Sequence, residues 1–111
     1  MNKRQKLGYV IFILSLIVLI GISILLIVKL DIKRRDEAYS NPPDKVWLEE
    51  DLEEIFLTTH VNVIEIVDNG RGSLIVKARI YDDGAYRIYH CLYEVKRYQL
   101  AYYTWELIRY V

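Results

Sequence analysis

Cysteine occurs once in this chain, at Cys91, histidine twice, at His60 and His90, and proline twice, side by side at Pro42 and Pro43. A single cysteine rules out a disulfide within one chain and leaves burial in a strand, the commoner fate, or an intermolecular bridge. So few histidines and cysteines give no HxxxH or CxxC spacing, and neither a metal site nor a cofactor is expected. His90 and Cys91 are adjacent, but neighbours on a strand point to opposite faces, which disfavours a Cys–His dyad. Gly70-Arg71-Gly72 has no helix after it and reads as a turn rather than a phosphate cradle. Asp82 and Asp83 are likewise turn formers. With no nucleophile–base spacing, no catalytic residue is assigned, no small-molecule substrate is inferred, and the chain is expected not to be an enzyme.

An excess of charge is also missing, since 15 basic residues balance 15 acidic ones. The balance conceals a division: residues 1–43 hold seven Lys/Arg and three Asp/Glu, a net +4, whereas residues 44–111 hold eight and twelve, a net −4. An acidic domain has no electrostatic footprint for nucleic acid, and DNA or RNA binding is not expected.

What the chain does have is an uncharged run from Leu7 to Val28, preceded by a basic tail (residues 1–6, with Lys3, Arg4 and Lys6) and followed by Lys29. At about 1.5 Å per residue a helix of this length covers roughly the 30 Å hydrocarbon core of a bilayer. The run is too long for the apolar stretch of a cleaved signal, and Ile27-Val28-Lys29-Leu30 offers no small-x-small site, so an uncleaved signal anchor in a lipid bilayer is predicted. Lys and Arg flank both ends, and only when Asp31, Asp36 and Glu37 are counted against the far side does the charge favour a cytoplasmic N-terminus and an extracytoplasmic C-terminal domain of a cell-membrane protein. Lys33, Arg34 and Arg35 are candidate contacts to anionic headgroups, or simply the stop-transfer flank of a span.

Helical periodicity carries on to about Glu37, and residues 38–43, with Ser40-Asn41-Pro42-Pro43, form a short linker, because two prolines forbid helix continuation. Residues 44–111 then form a small domain. Asp44 is placed as an N-cap, and Val46, Leu48, Leu52, Ile55 and Phe56 recur at helical spacing, predicting an amphipathic helix over about 45–57 with Glu49, Glu50, Asp51, Glu53 and Glu54 on its solvated face. From His60 the pattern changes to period two. Strands are predicted at about 60–67, 73–81, 85–95 and 99–110, separated by turns at Asn69-Gly70 and Asp83-Gly84 and a break near Lys96-Arg97. The fold class is therefore α+β: one transmembrane helix, then an amphipathic helix packed on a three- to four-stranded antiparallel meander. Such a domain buries only about 60% of its unfolded surface, which leaves stability marginal without a partner.

Eight of the ten tyrosines lie between Tyr81 and Tyr110. Arg87, Tyr89 and Tyr93 alternate along one predicted strand together with Cys91, and Lys77, Arg79 and Tyr81 are taken to share their face across the hairpin. Tyr and Arg are over-represented at binding hot spots, so these six residues form the candidate partner-binding face. Rings could alternatively settle at the membrane interface, where tyrosine and tryptophan are enriched. The expected function is a membrane-anchored interaction module or accessory subunit, with a membrane or envelope protein or a second copy as partner. Lys6-Leu7-Gly8 before a hydrophobic helix, with a small helix-and-sheet head after it, resembles a type IV pilin or pseudopilin precursor over the first 28 residues and in general layout. The resemblance implies cleavage at Gly8 and a self-assembling subunit, although the family's glutamate five residues after the cut falls at Ile13 here.

Overall fold

The computed structural model describes residues 2–111. Helix α1 runs unbroken from Lys3 to Ser40. It opens with a capping box, in which the Asn2 side chain accepts from the Gln5 amide at 2.9 Å and the Gln5 side chain accepts from the Asn2 amide at 3.2 Å. At 38 residues it is long and apolar enough to cross a membrane. The large apolar side chains from Leu7 to Val28 are 43–64% exposed, and nothing else in the molecule covers them. The Ser23 hydroxyl donates to the Leu19 carbonyl at 2.8 Å, so this polar side chain needs no partner outside the helix. The helix continues past the expected stop near Glu37 and ends at Ser40, capped by Asn41 ahead of the two prolines.

Helix α2 spans Lys45–Phe56, capped by Asp44, whose carboxylate accepts from the Trp47 amide at 2.9 Å. Four strands follow, β1 (Val61–Asp68), β2 (Ser73–Asp82), β3 (Ala85–Gln99) and β4 (Tyr102–Tyr110), paired antiparallel in the order β1-β2-β3-β4. The α+β meander is as expected. The β2–β3 turn places Asp83 at φ 51° and Gly84 at φ 81°, the two left-handed residues that a type I′ hairpin requires. Two differences stand out at the third hairpin: β3 runs through the expected break at Lys96-Arg97 to Gln99, and the turn falls instead on Leu100-Ala101, with a bulge between Arg97 and Gln99 absorbing the irregularity.

One face of the sheet is covered. Leu48 and Leu52 of α2 are fully buried against Val61, Val63, Leu74, Val76, Ala78, Ile80, Cys91, Tyr93 and Trp105, and each such leucine contributes about 1.5–3 kcal/mol of burial. Two carboxylates from the face expected to be solvated are used as acceptors. Asp51 accepts from the Tyr93 hydroxyl at 2.7 Å. Glu49 accepts from the Val63 amide at 3.2 Å, next to the bulge that interrupts the β1–β2 ladder between Val63 and Glu65. Burial and the bond to Asp51 both push the Tyr93 phenol far above its ordinary value. Burial alone pushes the Cys91 thiol up to about 11.

The molecule measures 84 × 24 × 20 Å. At about 3.3 Å per residue β3 is roughly 50 Å long, more than either short dimension, so the strands lie along the long axis and prolong the direction of α1.

Candidate functional site

The feature that organises the molecule is the junction between α1 and the sheet. β2 begins at Ser73, opposite Glu94, and beyond the hydrogen bond from the Val95 amide to the Gly72 carbonyl β3 pairs with β4 alone. This two-stranded ribbon reaches back along the last turns of α1. At its tip Asp31 accepts two hydrogen bonds, from the Ala101 amide and from the Tyr103 hydroxyl, each 2.8 Å long. Arg97 adds an ion pair at 3.6 Å, with the Asp31 side chain only 17% exposed. The Ala101 amide, then the Tyr103 hydroxyl and more weakly the Arg97 and Arg35 charges, hold the Asp31 carboxyl below the usual carboxylate range, against a partly opposing desolvation. The same bond raises the Tyr103 phenol. Two turns further on, the Trp105 indole N–H donates to the Ala38 carbonyl at 3.0 Å, satisfying an acceptor near the end of α1.

A third tie closes the set. Gly72, in the β1–β2 turn, has φ +79°, and its α-carbon faces the Tyr39 ring so closely that any Cβ there would overlap the ring. Arg35 lies over the same ring, 5.7 Å from its centroid. Asp31, Ala38 and Tyr39 thus fasten α1 to two different hairpins, and the Asn41–Asp44 connection is bridged by contacts on both sides.

The sequence-based partner face does not survive as one surface. In a two-residue hairpin, directly opposed partners share a face, and the register pairs Lys77 with His90, Arg79 with Ile88 and Tyr81 with Tyr86. Arg87, Tyr89 and Tyr93 pair instead with Ile80, Ala78 and Leu74, on the face covered by α2. Tyr93 is fully buried. Tyr89 is half-buried, its ring 5.1 Å from Phe56 and its hydroxyl donating to Asp82 at 2.6 Å, a bond that raises its pKa. Arg87 is exposed at the margin of this face. Lys77, Arg79 and Tyr81 remain on the uncovered face, which also carries the exposed Val67, Ile75, Ile88 and Tyr86. The Arg79 guanidinium sits 4.5 Å from the Tyr86 ring centroid, and Tyr81 and Tyr86 pack edge-on at 5.1 Å, with the His60 ring 6.0 Å from Tyr81. The open face therefore has an apolar centre and an aromatic end, with the cations Lys77, Arg79 and Arg109 and the carboxylates Glu65, Glu94 and Glu106 around them.

Of the three candidate headgroup residues, Lys33 is exposed, Arg34 pairs with Glu37 at 3.4 Å and Arg35 with Asp36 at 3.4 Å. An open cleft of about 760 Å³ lies between the end of α2 and the β2–β3 turn, where Glu50, Glu53, Glu54, His60, Asp82 and Asp83 contribute to its lining. Among the described residues no three His, Cys, Asp or Glu side chains converge on a point where a metal ion could be held. Sequence reasoning missed Asp31, Trp105 and Tyr103. Asp31 offered one signal, a lone carboxylate among cations just past an apolar run. No family model matches the chain, and neither a curated protein nor a solved structure matches it.

Proposed function

We propose that this chain is a non-enzymatic, single-pass membrane protein whose extracytoplasmic head is an interaction module of a membrane or envelope complex, with the open sheet face as its binding surface. The observation that carries this reading is the junction: Asp31, Ala38 and Tyr39 hold the head on the same helix that is apolar enough to span. A rigid mount suits a subunit that presents a surface to a neighbour at a set height above the membrane. With strands running along the axis of α1, the open face looks sideways, parallel to the membrane plane. The partner is then another protein standing in the same membrane. With Asp31, Asp36 and Glu37 offsetting three of the four cations that follow the span, the charge balance favours a cytoplasmic N-terminus.

The test uses a photo-crosslinking residue at Ile88 of the full chain in intact membranes, with the same residue at Glu54 as control. A discrete adduct from position 88 alone, lost on combining it with Ile75→Asp and Arg79→Ala in a head that still folds, is expected. Equal labelling from both positions, or an adduct that survives the two changes, would sink this surface.

A second reading draws on the same continuity of α1 from apolar run into head: a self-assembling subunit of pilin-like layout. An intact mass that retains residues 1–8 removes it.

A further inference from the structure

The β3–β4 hairpin tip is an unusual turn. Between Tyr98 and Tyr102 stand Gln99, Leu100 and Ala101, with no glycine, proline, asparagine or aspartate. Ala101 nevertheless takes the left-handed conformation, φ 58°. Turns that face water draw on residues which supply that geometry cheaply or hydrogen-bond locally, and none is used here. Instead the tip exposes apolar groups: Tyr98 is 65% exposed, Leu100 51% and Tyr102 53%, the two rings packed edge-on at 6.0 Å.

The height of this tip is fixed by Asp31. Asp31 lies three residues beyond Val28, the end of the apolar run, which is about 4.5 Å along the helix axis. A bilayer's headgroup layer is roughly 5–7 Å deep on each side, the difference between a core of about 30 Å and a full thickness of 40–45 Å. Because the Ala101 amide and the Tyr103 hydroxyl are bonded to Asp31 itself, the tip backbone stands at headgroup level whenever Leu7–Val28 occupies the core. Lys29 and Lys33 flank Asp31 on the helix, and Lys96 follows on the ribbon. Tyrosine rings with an apolar body and a polar end match the chemistry of the interfacial layer, with Lys29 and Lys33 at that depth and the Tyr98 hydroxyl turned to the Glu106 carboxylate.

We propose that the β3–β4 hairpin tip is a second membrane-contacting element, in which Tyr98, Leu100 and Tyr102 rest in the headgroup layer of the bilayer that α1 crosses. This rests on the reading of α1 as a span. The ribbon extends beyond the four-stranded sheet in order to reach the bilayer, and the contact fixes the tilt of the head.

The full chain, reconstituted in nanodiscs of phosphatidylcholine and phosphatidylglycerol, tests both statements separately. Lipids bearing a spin label near the headgroup or deep in the acyl chain broaden nearby amide and methyl signals without any label on the protein. Deep label should broaden Ile17, headgroup label should broaden residues 98–102 severalfold more than Thr59 at the far end of the head, and the Leu100 methyl signals should broaden more than the Ala101 amide, whose height Asp31 alone sets. If Ile17 is broadened and the tip is not, the tip proposal is overturned while the span stands. If Ile17 is not broadened, the span fails and takes the proposal with it. If the Leu100 methyls broaden no more than the Ala101 amide, mere proximity and not insertion accounts for the tip's broadening, and the proposal is again overturned.

Discussion

Gly72→Ala should loosen the head from α1, and the loss can be worked from two separate causes. Gly72 sits at φ +79°, where an L side chain costs roughly 1–2 kcal/mol. Its new Cβ would also overlap the Tyr39 ring, which must swing away, and overpacking of this kind typically costs about 1–3 kcal/mol. Together these amount to about 2–5 kcal/mol, a fall of at least about 8 °C in the melting temperature of a head this size. The two causes separate in a double-mutant cycle. In a Tyr39→Ala background the ring is gone, so Gly72→Ala should cost only the conformational 1–2 kcal/mol, leaving a coupling of about 1–3 kcal/mol between the two sites. The assay is thermal unfolding of the full chain in detergent, followed by near-ultraviolet circular dichroism, which reports packing around Trp105 and the tyrosines rather than the helicity of the apolar run. Strict additivity would refute the reasoning, because it would mean that the Tyr39 contact does not constrain position 72 and that α1 is not fastened to the β1–β2 turn.

Acid should open the other end of the junction: the Asp31 carboxyl is held below its ordinary value, so its contribution is complete above about pH 4 and drains away as pH falls through the lowered value. Hydrogen exchange at the Ala101 amide should lose protection over that window in the native chain and show no such step in Asp31→Asn; identical profiles would remove Asp31 as the clasp. Cys91, fully buried and with its thiol raised to about 11, should stay unreactive to maleimide at neutral pH until the head unfolds, and the head should lose stability as pH climbs from about 9 through that value. That silence makes it a built-in control for sidedness: Arg71→Cys, in an exposed turn, should be labelled by an impermeant reagent in intact cells while Cys91 is not, and labelling of Arg71→Cys only after lysis would reverse the proposed orientation.

The fold was legible wherever its cause is local. Asp83-Gly84 announces its hairpin because two left-handed residues are needed there, Gly70 and Gly72 supply those of the wider β1–β2 turn, and Leu48 and Leu52 mark the buried stripe of α2 by their spacing. The third hairpin was misplaced because its turn is set from elsewhere: the hydrogen bond that stabilises Ala101 comes from a residue 70 positions earlier, and the one from Trp105 reaches back 67. No window of sequence contains both partners. For the partner face, alternation along each strand is legible, but setting Lys77, Arg79 and Tyr81 beside Arg87, Tyr89 and Tyr93 matches the wrong faces across the hairpin. Register decides instead, and a two-residue turn after Asp82 already implies that odd-numbered residues of β2 oppose even-numbered ones of β3. Followed through, that rule sets Cys91 and Tyr93 opposite Val76 and Leu74, inside the core.

The span and the ribbon tip do different work because their affinities for a bilayer differ so greatly. Three interfacial side chains alone would hold a free head only fleetingly, since even a whole myristoyl chain gives marginal, reversible binding. Tethered to α1, the same side chains meet the bilayer at a high effective concentration, and their contact turns from a matter of affinity into one of orientation. A single span leaves the head free to lean in any direction about the membrane normal. A second contact, offset from the helix by the width of the ribbon, removes that freedom on one side. Because the covered face carries α1 and the open face lies opposite it, the direction the tip resists is the one that would tip Lys77, Arg79 and Ile88 toward or away from the lipid. Removing the tip contact should therefore weaken capture of a neighbouring membrane protein even though Tyr98, Leu100 and Tyr102 lie outside the open-face patch itself.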